Sequence, residues 1–380
     1  MPDLPRDLLS LVDYLIKKRE FQTLANNLLT MWGPGGVFLG PNYLPPRFVE
    51  NNEDTLEDVR IRAVAAKDGT RYSPAQKVGG GEMFGRIKYR LGHSDLLKEI
   101  TGPDYDAIKR WLGRNLPMQA AARLLGLFET LIVESLTSHD ELKIWEAIQF
   151  NALTRRGDNG YFEYEEGPDL TDHFVDVSAE PWTDADNDPW EHIDAGIEQL
   201  VGLGFDRGGI RIVTTERVRN ALRRNPHTKD RAGKSVVTTN GSGQVQAVRL
   251  TGTLSLEALN GVFGDEGLQE PVTYDKRIQT ETGEKRAYAE NHMTLIASTG
   301  MTEEVRFNQD NVEDVRVVND VLGFNGIGTP NGQDMPVRAT SVKAFTDQKD
   351  ARVEAQGWQA TGPVILMPQA RVELFGMLEA

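Results

Sequence analysis

The chain has 380 residues, enough for one large domain or two closely joined ones, and its lack of cysteine excludes disulfides, thiol catalysis and thiolate metal sites. Apolar residues make up 39% of it, but no stretch approaches the roughly 20 consecutive apolar residues of a membrane span. Acidic residues outnumber basic ones by 57 to 42, and the resulting net charge of −15 repels nucleic acid and keeps a subunit soluble.

The first 30 residues predict one amphipathic helix, because apolar side chains recur at helical spacing from Leu8 to Ile16. The opening MPDLPRDLL lacks a positive region followed by an apolar core, so we expect no secretory signal. Residues 31–57 change character: Gly and Pro are interleaved with aromatic residues, which predicts an extended segment. An extended apolar segment that cannot pack on itself needs another surface, which indicates a strap-like arm.

Residues 58–91 predict a long hairpin, since DVRIRAVAA and MFGRIKYRL both alternate with a period of two. Three consecutive glycines, residues 79–81, separate the two strands. A phosphate-binding loop would need a Walker or GxGxxG pattern and a helix directly after it, and the sequence has neither. The glycines therefore indicate a flexible hairpin tip.

The hairpin region is basic, because residues 60–90 hold eight basic and two acidic residues, a net charge of +6 inside an acidic chain. Such a segment binds either nucleic acid or an acidic neighbouring copy of the same chain, and both interpretations stay open. The sequence has no recognised nucleic-acid motif, which favours the neighbouring copy.

Residues 117–153 form the most helical stretch, with Pro117 in the first turn and an apolar stripe along its length. Ser138 with Glu141 resembles a capping box, which predicts a kink or a restart of the helix at that point. A continuous helix here would be about 54 Å long at 1.5 Å per residue, which is long for a globular domain.

A turn and a well-marked helix come next. Asp158-Asn159-Gly160 predicts a turn between two strands. Further on, Asp188 predicts a helix N-cap, with Pro189 as the first helical residue and Glu191 as the reciprocal cap. This helix should end at one of two glycines, Gly202 or Gly204. Its expected buried face is Ile193, Ile197, Leu200 and Val201.

The rest of the chain alternates strands and helices. We expect a strand at 210–215 and helices at 215–225 and 255–264. Two strands, around VTYDKRIQT and MTLIAST, flank a polar turn at Thr282-Gly283-Glu284. The last predicted piece, residues 356–377, is an extended tail.

Three alternating aspartates, Asp184, Asp186 and Asp188, resemble a calcium loop. A helix–loop–helix calcium site needs Gly at the sixth position and Glu at the twelfth, but Pro189 and Ala195 stand there. The aspartates therefore indicate a turn followed by a helix cap.

Other candidate chemistry is sparse. The six histidines have no metal-ligand spacing, and the GxSxG motif of hydrolases is missing. His139-Asp140-Glu141 resembles an acid–base cluster, but adjacent helix residues point to different faces, so we interpret it as a surface helix cap. We expect no catalytic residue, no cofactor and no metal. A self-catalysed Lys–Asn cross-link between subunits stays open.

Three stretches, taken in order, resemble the lambda-type major capsid protein family of tailed bacteriophages. The first is GRIKYRLGHSDLLKEI at 85–100, a return strand that enters the helical region. The second is AEPWTDADNDPWEHIDAGIEQL at 179–200, where a Trp precedes a helix that starts with Asp-Pro. The third is LSLEALNGVFGDEGLQEPVTYDKRIQTETGEKRAY at 254–288, a short helix ending in Gly and followed by a strand, a polar hairpin and another strand.

The resemblance implies an α+β protein with the tailed-phage (Hong Kong 97-type) capsid fold. That fold has an N-terminal arm, an extended hairpin called the E-loop, a peripheral domain with a long spine helix, and an axial domain. Its implied boundaries here are an arm at 1–57, an E-loop at 58–91, a peripheral domain at 92–180 with the spine at about 117–153, an axial domain at 181–339, and a C-terminal return to the peripheral domain at 340–380. The helix in residues 1–30 departs from a simple arm.

The resemblance also implies a function: a major capsid protein, not an enzyme, that assembles into hexamers and pentamers of an icosahedral shell around packaged double-stranded DNA. Implied partners are copies of itself, a separate scaffold protein and a portal protein, while a decoration protein stays open; DNA is enclosed without sequence-specific binding, and no membrane is involved. The implied location is the virion, assembled in the host cytoplasm. An encapsulin-like or gene-transfer-particle shell is the alternative, and a carboxylate-based hydrolase a more distant one. The residues expected at inter-subunit contacts are Trp32, Phe38, Tyr43, Phe48, Arg60, Arg62, Arg86 and Lys88.

Overall fold

A computed structural model gives the architecture of the chain. It describes residues 8–18, 38–49, 52–56, 87–100, 102–156, 162–166, 171–233, 236–239, 245–248, 252–280, 283–297, 322–329, 341–347 and 352–378. Within these ranges the helices are α1 (Leu8–Lys17), α2 (Gly102–Gly113), α3 (Pro117–Phe128), α4 (Glu134–Phe150), α5 (Pro189–Gly202), α6 (Glu216–Arg224), α7 (Pro226–Arg231) and α8 (Leu256–Asp265). No helix in these ranges combines the length and the apolar character needed to cross a membrane.

The strands of the first half of the described chain are β1 (Pro46–Phe48), β2 (Glu53–Leu56), β3 (Ile87–Arg90), β4 (Gly92–Glu99), β5 (Ala152–Arg156), β6 (Phe162–Glu166), β7 (Phe174–Asp176), β8 (Ile210–Thr214) and β9 (Val236–Thr239). Those of the second half are β10 (Val245–Val248), β11 (Val272–Thr273), β12 (Arg277–Thr280), β13 (Gly283–Arg286), β14 (His292–Ala297), β15 (Gly323–Ile327), β16 (Ser341–Asp347), β17 (Arg352–Ile365) and β18 (Arg371–Phe375).

The first of two five-stranded sheets is built around β17. This strand pairs antiparallel with β15, β16 and β4, and β1 adds to β15 in parallel. With 14 residues, β17 reaches about 46 Å at roughly 3.3 Å per residue. One long strand therefore links pieces of chain that are far apart in sequence.

A nearly continuous helical rod packs on this sheet. It consists of α3, a π-helical turn at Glu129–Val133, and α4, and it ends at Asn151, whose φ of 51° gives a left-handed cap. The predicted long helix is thus present. The predicted break at Ser138 is wrong, because α4 runs through it and the irregular turn comes earlier.

The π-helical turn lies against β17 at Gly357. A Cβ at this glycine would overlap the side chain of Ile132 and would lie 3.1 Å from a Leu136 methyl group. The strand can approach the rod this closely only because residue 357 has no side chain.

The second five-stranded sheet has the order β11–β8–β14–β18–β7. Helix α5 packs on it, and Gly196 of that helix lies close to Leu295 and Val372. The predicted start of α5 is confirmed, since the Asp188 carboxylate accepts a 3.0 Å hydrogen bond from the Trp190 amide with Pro189 in the first turn. Its buried face is also as predicted, except for Val201, which is 43% exposed.

Several other elements follow the sequence pattern. Strands β5 and β6 pair antiparallel on either side of the predicted turn, although residues 157–161 themselves lie outside the described residues. Helices α6 and α8 and strand β8 lie where they were expected. The hairpin around Thr282 is shorter than predicted: β12 pairs with β13, and β14 belongs to the second sheet instead.

The C-terminal segment is extended, as predicted, but its strands belong to the two sheets. Residues 356–377 supply most of β17 to the first sheet and all of β18 to the second, where β18 lies between β14 and β7. The polar residues of RVELF do not reveal that β18 is a central strand, because Arg371 and Glu373 are buried as well. The predicted boundaries between peripheral and axial domains remain a prediction, since each sheet combines strands from both.

Two larger apolar clusters account for most of the buried core. One contains both faces of the second sheet together with Tyr43, Trp145 and Trp190. The other joins α1 to the helical rod and to Val353 of β17. The predicted N-terminal helix is confirmed, and it buries Leu8, Leu11, Val12 and Leu15.

Candidate functional site

Two features in the predicted arm and hairpin could serve a subunit that contacts copies of itself: the attachment of residues 38–49 to the body, and the root of the hairpin. The attachment depends on Glu141, which is fully buried on α4. The backbone amide of Gly40 donates to both carboxylate oxygens of Glu141, at 3.0 and 3.2 Å. Gly40 has no room for a side chain, because a Cβ there would lie 2.6 Å from Glu141 Oε2.

Two further donors complete the surroundings of the Glu141 carboxylate. The indole Nε1 of Trp145 donates to Oε1 at 2.7 Å, and the hydroxyl of Tyr274 donates to the same oxygen at 2.7 Å. One carboxylate thus ties together the 38–49 segment, the helical rod and the loop after β11. Charge-assisted hydrogen bonds of this kind are roughly twice as strong as neutral ones.

An aromatic cluster surrounds Trp145. The rings of Tyr43, Tyr274 and Tyr288 lie 5.7, 5.6 and 5.0 Å from it, centroid to centroid. Tyr43 is only 2% exposed. Its assignment as an inter-subunit contact is therefore wrong: it packs in the core of its own chain, where edge-to-face aromatic pairing stabilises it.

Burial changes the protonation of the carboxyls on this part of α4. It raises the pKa of Glu141, against the opposing effect of the hydrogen bonds from Tyr274, Gly40, Trp145 and the Leu39 backbone. It also raises the pKa of Asp140 to about 7, although Thr361 Oγ1 donates a 2.7 Å hydrogen bond to Asp140 Oδ1. Asp140 thereby connects the helical rod to β17.

The interpretation of His139-Asp140-Glu141 as a surface cap is wrong for both carboxyls, which are buried. The sequence did indicate that Glu141 is buried. Glu141 precedes Ile144, Trp145 and Ile148 by three, four and seven positions, so it lies on the same apolar face of the helix.

The root of the hairpin is the second feature. Strands β2 and β3 pair antiparallel, from Glu53 opposite Arg90 to Leu56 opposite Ile87. Tyr89 and Leu91 are buried beside Phe324 and Val364 in a small apolar cluster, with the Tyr89 and Phe324 rings 6.4 Å apart. Of the hairpin predicted at 58–91, the structure describes only residues 87–91; their partner strand β2 lies in the segment predicted as arm, and residues 57–86 lie outside the described residues.

Among the other predicted contact residues, the structure brings Phe38 and Phe48 together. Phe38 and Phe48 are half-buried and both pack beside Ile327, and the Lys276 ammonium lies 5.5 Å from the Phe38 ring. Lys88 lies on β3, but its side chain is not described. The predicted contacts outside the described residues are Trp32, Arg60, Arg62 and Arg86.

The aspartates that resembled a calcium loop form a turn and a cap, as predicted: Asp184 accepts from the amide of Asp186, and Asp188 caps α5. Across the described part of the chain, no group of three or more His, Asp or Glu side chains is placed to hold a metal ion. What the arrangement supplies is mechanical: fixed attachment points for the arm and the hairpin.

Comparison with solved structures finds similar folds. The chain is similar to the putative capsid protein of a prophage from E. coli CFT073, with a TM-score of 0.56 and 14% identity over 92% of this chain and 98% of that one. It is also similar to a phage-related protein from Bordetella bronchiseptica RB50, with a TM-score of 0.47 and 12% identity over 94% and 97% of the two chains. No family model and no curated protein matches the chain.

The likeness to the prophage protein extends over nearly the whole length of both chains. It confirms the fold class predicted from the sequence, α+β with the tailed-phage (Hong Kong 97-type) capsid fold.

Proposed function

We propose that this chain is the major capsid protein of a tailed bacteriophage, a structural subunit that builds a closed shell and not an enzyme. The observation that carries the proposal is the shared fold with the putative prophage capsid protein, which covers 98% of that chain. A fold by itself does not fix a function, so the proposal also rests on the features that would make contacts between subunits.

The charge distribution supports contact between copies. The net charge of the chain is −15, and that of residues 60–90 is +6, so the remaining residues have a net charge of −21. A basic hairpin rooted at β2 and β3 and an acidic body attract each other when they belong to different subunits. Complementary charge of this kind mainly sets orientation and association rate.

The proposed assembly consists of hexamers and pentamers in an icosahedral shell that encloses double-stranded DNA. Covering apolar surface contributes about 25 cal/mol per Å², so a contact of a few hundred Å² gives a modest pairwise energy that is repeated around each ring. Weak single contacts let misplaced subunits dissociate, while the closed shell persists kinetically. A scaffold protein, a portal protein and a decoration protein are the proposed partners, and the virion is the proposed location.

The test is expression of the chain, followed by sedimentation velocity and negative-stain electron microscopy. Closed particles of uniform diameter are expected, and nuclease-protected double-stranded DNA within particles from infected cells would identify a phage capsid. Particles that contain a protein cargo and no DNA would favour the encapsulin-like alternative. A wild-type chain that sediments as a monomer at every concentration would contradict the proposal.

A matched pair of variants tests the role of the hairpin. In the first, Arg60, Arg62, Arg86 and Lys88 are replaced by Glu; in the second, the exposed body residues Arg110, Arg114, Arg217 and Arg224 are replaced by Glu. Four such changes of two charges each bring both variants from −15 to −23. The hairpin variant should lose assembly and the body variant should keep it. Equal loss in both would show that net charge alone decides.

A further inference from the structure

Asn52 stands where the hairpin meets the first sheet. Its backbone carbonyl accepts a 2.7 Å hydrogen bond from the amide of Leu91, the residue that follows β3. The side chain of Asn52 bonds to Thr329, beyond the end of β15: Nδ2 donates to the carbonyl of Thr329 at 2.8 Å, and Oδ1 accepts from the amide of Thr329 at 3.0 Å. We call this two-bond contact the Asn52 clasp.

The Asn52 clasp extends the parallel ladder between β1 and β15. That ladder pairs Pro46–Phe48 with residues 325–327, and the amide of Val49 then donates to the carbonyl of Ile327 at 2.9 Å. Thr329 is two residues further along, where the next backbone pairing would fall. The side chain of Asn52 supplies both hydrogen bonds instead, which leaves its backbone to pair with the hairpin.

Gly328 fixes the position of the Asn52 clasp relative to the central strand. The amide of Gly328 donates to the carbonyl of Ala360 on β17 at 2.8 Å. A Cβ at Gly328 would overlap Asn52 Oδ1 and would lie 2.7 Å from a methyl group of Leu91. The hairpin root and β17 therefore approach each other this closely only because residue 328 has no side chain.

We infer that Asn52 is a positioning residue that sets the direction in which the hairpin leaves the body, and through it the spacing and angle between neighbouring subunits. The inference rests on the proposed function, in which the hairpin reaches a neighbour. An isolated two-stranded hairpin is only marginally stable, so its orientation relative to the body depends on contacts at its root. In the hairpin predicted from the sequence, strands of about 15 residues would be roughly 50 Å long, so a tilt of about 10° at the root would move the tip by about 9 Å.

The test compares two variants of the clasp with a matched control. N52A removes both side-chain hydrogen bonds, and G328A displaces the Asn52 side chain from the opposite side. The control is N291A, because Asn291 makes the same kind of contact elsewhere: its Nδ2 donates to the carbonyl of Leu378 at 3.1 Å and its Oδ1 accepts from the Leu378 amide at 2.7 Å.

N52A and N291A should lower the melting temperature of the unassembled subunit by similar amounts, since each loses two comparable hydrogen bonds. The N52A and G328A subunits should give at least about tenfold fewer closed particles, or a broader range of particle diameters, because the contact that each hairpin makes is misplaced. The N291A subunit should assemble like the wild type. If N52A matches N291A in particle number and diameter, Asn52 acts only through stability and the inference is overturned.

A second measurement separates this inference from the proposed function. Amide hydrogen exchange of the unassembled subunit should become faster at Thr329 in N52A, because its acceptor is the Asn52 side chain, and unchanged exchange there would refute the Asn52 clasp. Absence of particles from the wild type would instead overturn the proposed function, together with the consequence for assembly.

Discussion

Trp145 lies one helical turn after Glu141 on α4, and its indole Nε1 donates a 2.7 Å hydrogen bond to the buried Glu141 carboxylate. The same carboxylate accepts from Gly40 and Tyr274, so the acidic side chain organises contacts among three separate parts of the chain. A buried carboxylate without such donors would be strongly destabilising.

Replacing Glu141 by Ala should destabilise the unassembled subunit strongly. The change leaves the Gly40 amide, the Trp145 indole and the Tyr274 hydroxyl without their acceptor. At about 1–3 kcal/mol for each of the three orphaned buried donors, we expect a loss of roughly 3–9 kcal/mol in the free energy of unfolding, measured by urea denaturation. E141Q keeps one acceptor oxygen and should lose less. The control is E134A, an exposed position in the same helix, and an equal effect at both positions would contradict the role of Glu141.

Asp140 should give the subunit a pH dependence that D140N removes. Burial raises its pKa to about 7, so between about pH 4 and pH 7 the folded state holds a proton that the unfolded state has released. Stability from this group is therefore greatest at low pH and falls as the pH rises. D140N has no carboxyl to titrate and does not lose this stability as the pH rises. The free energy of unfolding of D140N minus that of the wild type should therefore increase from about pH 4 to pH 7, by up to roughly 4 kcal/mol. Urea denaturation at several pH values measures it; a constant difference would refute the raised pKa.

Substituting Gly357 by Ala should strain the contact between β17 and the π-helical turn. The new methyl group overlaps Ile132, and overpacking of this kind typically costs about 1–3 kcal/mol. Adding I132A should recover part of the loss, which a double-mutant cycle would detect as coupling between the two sites. G261A is the control, because Gly261 lies inside α8 with open space around its Cβ position, and Ala there should be neutral or stabilising. Additive effects of G357A and I132A would argue against direct contact.

Tyr43 tests whether residues 38–49 belong to the body of the subunit. Its ring is buried against Trp145, so Y43A should lower the free energy of unfolding of the unassembled subunit by about 3–5 kcal/mol. M118A, at a side chain that is 58% exposed, should change it little. Were Tyr43 a contact between subunits only, Y43A would weaken assembly and leave the isolated subunit as stable as the wild type.

The elements that could be predicted from sequence are those whose signals are local. Helix α5 is the clearest, because Asp188, Pro189 and the spacing of Ile193 and Ile197 specify its start and its buried face without reference to other parts of the chain. The pairing of β5 with β6 was likewise indicated by a short turn. The fold class followed from the order of such elements together with the family resemblance.

What sequence reasoning missed depends on partners distant in the chain. From its neighbours in sequence, Glu141 was interpreted as part of a helix cap. In the structure its carboxylate accepts hydrogen bonds from Gly40 and Tyr274, which lie more than a hundred residues away on either side. Tyr43 lies in a segment rich in Gly and Pro that seemed to need a foreign surface, but Trp145 of the same chain covers it. Local spacing indicates that Glu141 lies on the apolar face of its helix, but it does not indicate which distant residues donate to Glu141 or which ring covers Tyr43.

The placement of β17 and β18 also affects how the protein is made. Gly92–Glu99 pair with residues that the ribosome adds more than 250 positions later. Strand β14 likewise cannot pair with β18 until the end of the chain has been synthesised. A nascent chain that has not yet reached Arg352 lacks the strand that joins the rest of the first sheet, so neither sheet can be completed during most of translation. Contacts this distant in sequence fold slowly. Each polypeptide must therefore be almost fully synthesised before its two sheets are complete. In the proposed function, this keeps half-made chains out of growing particles.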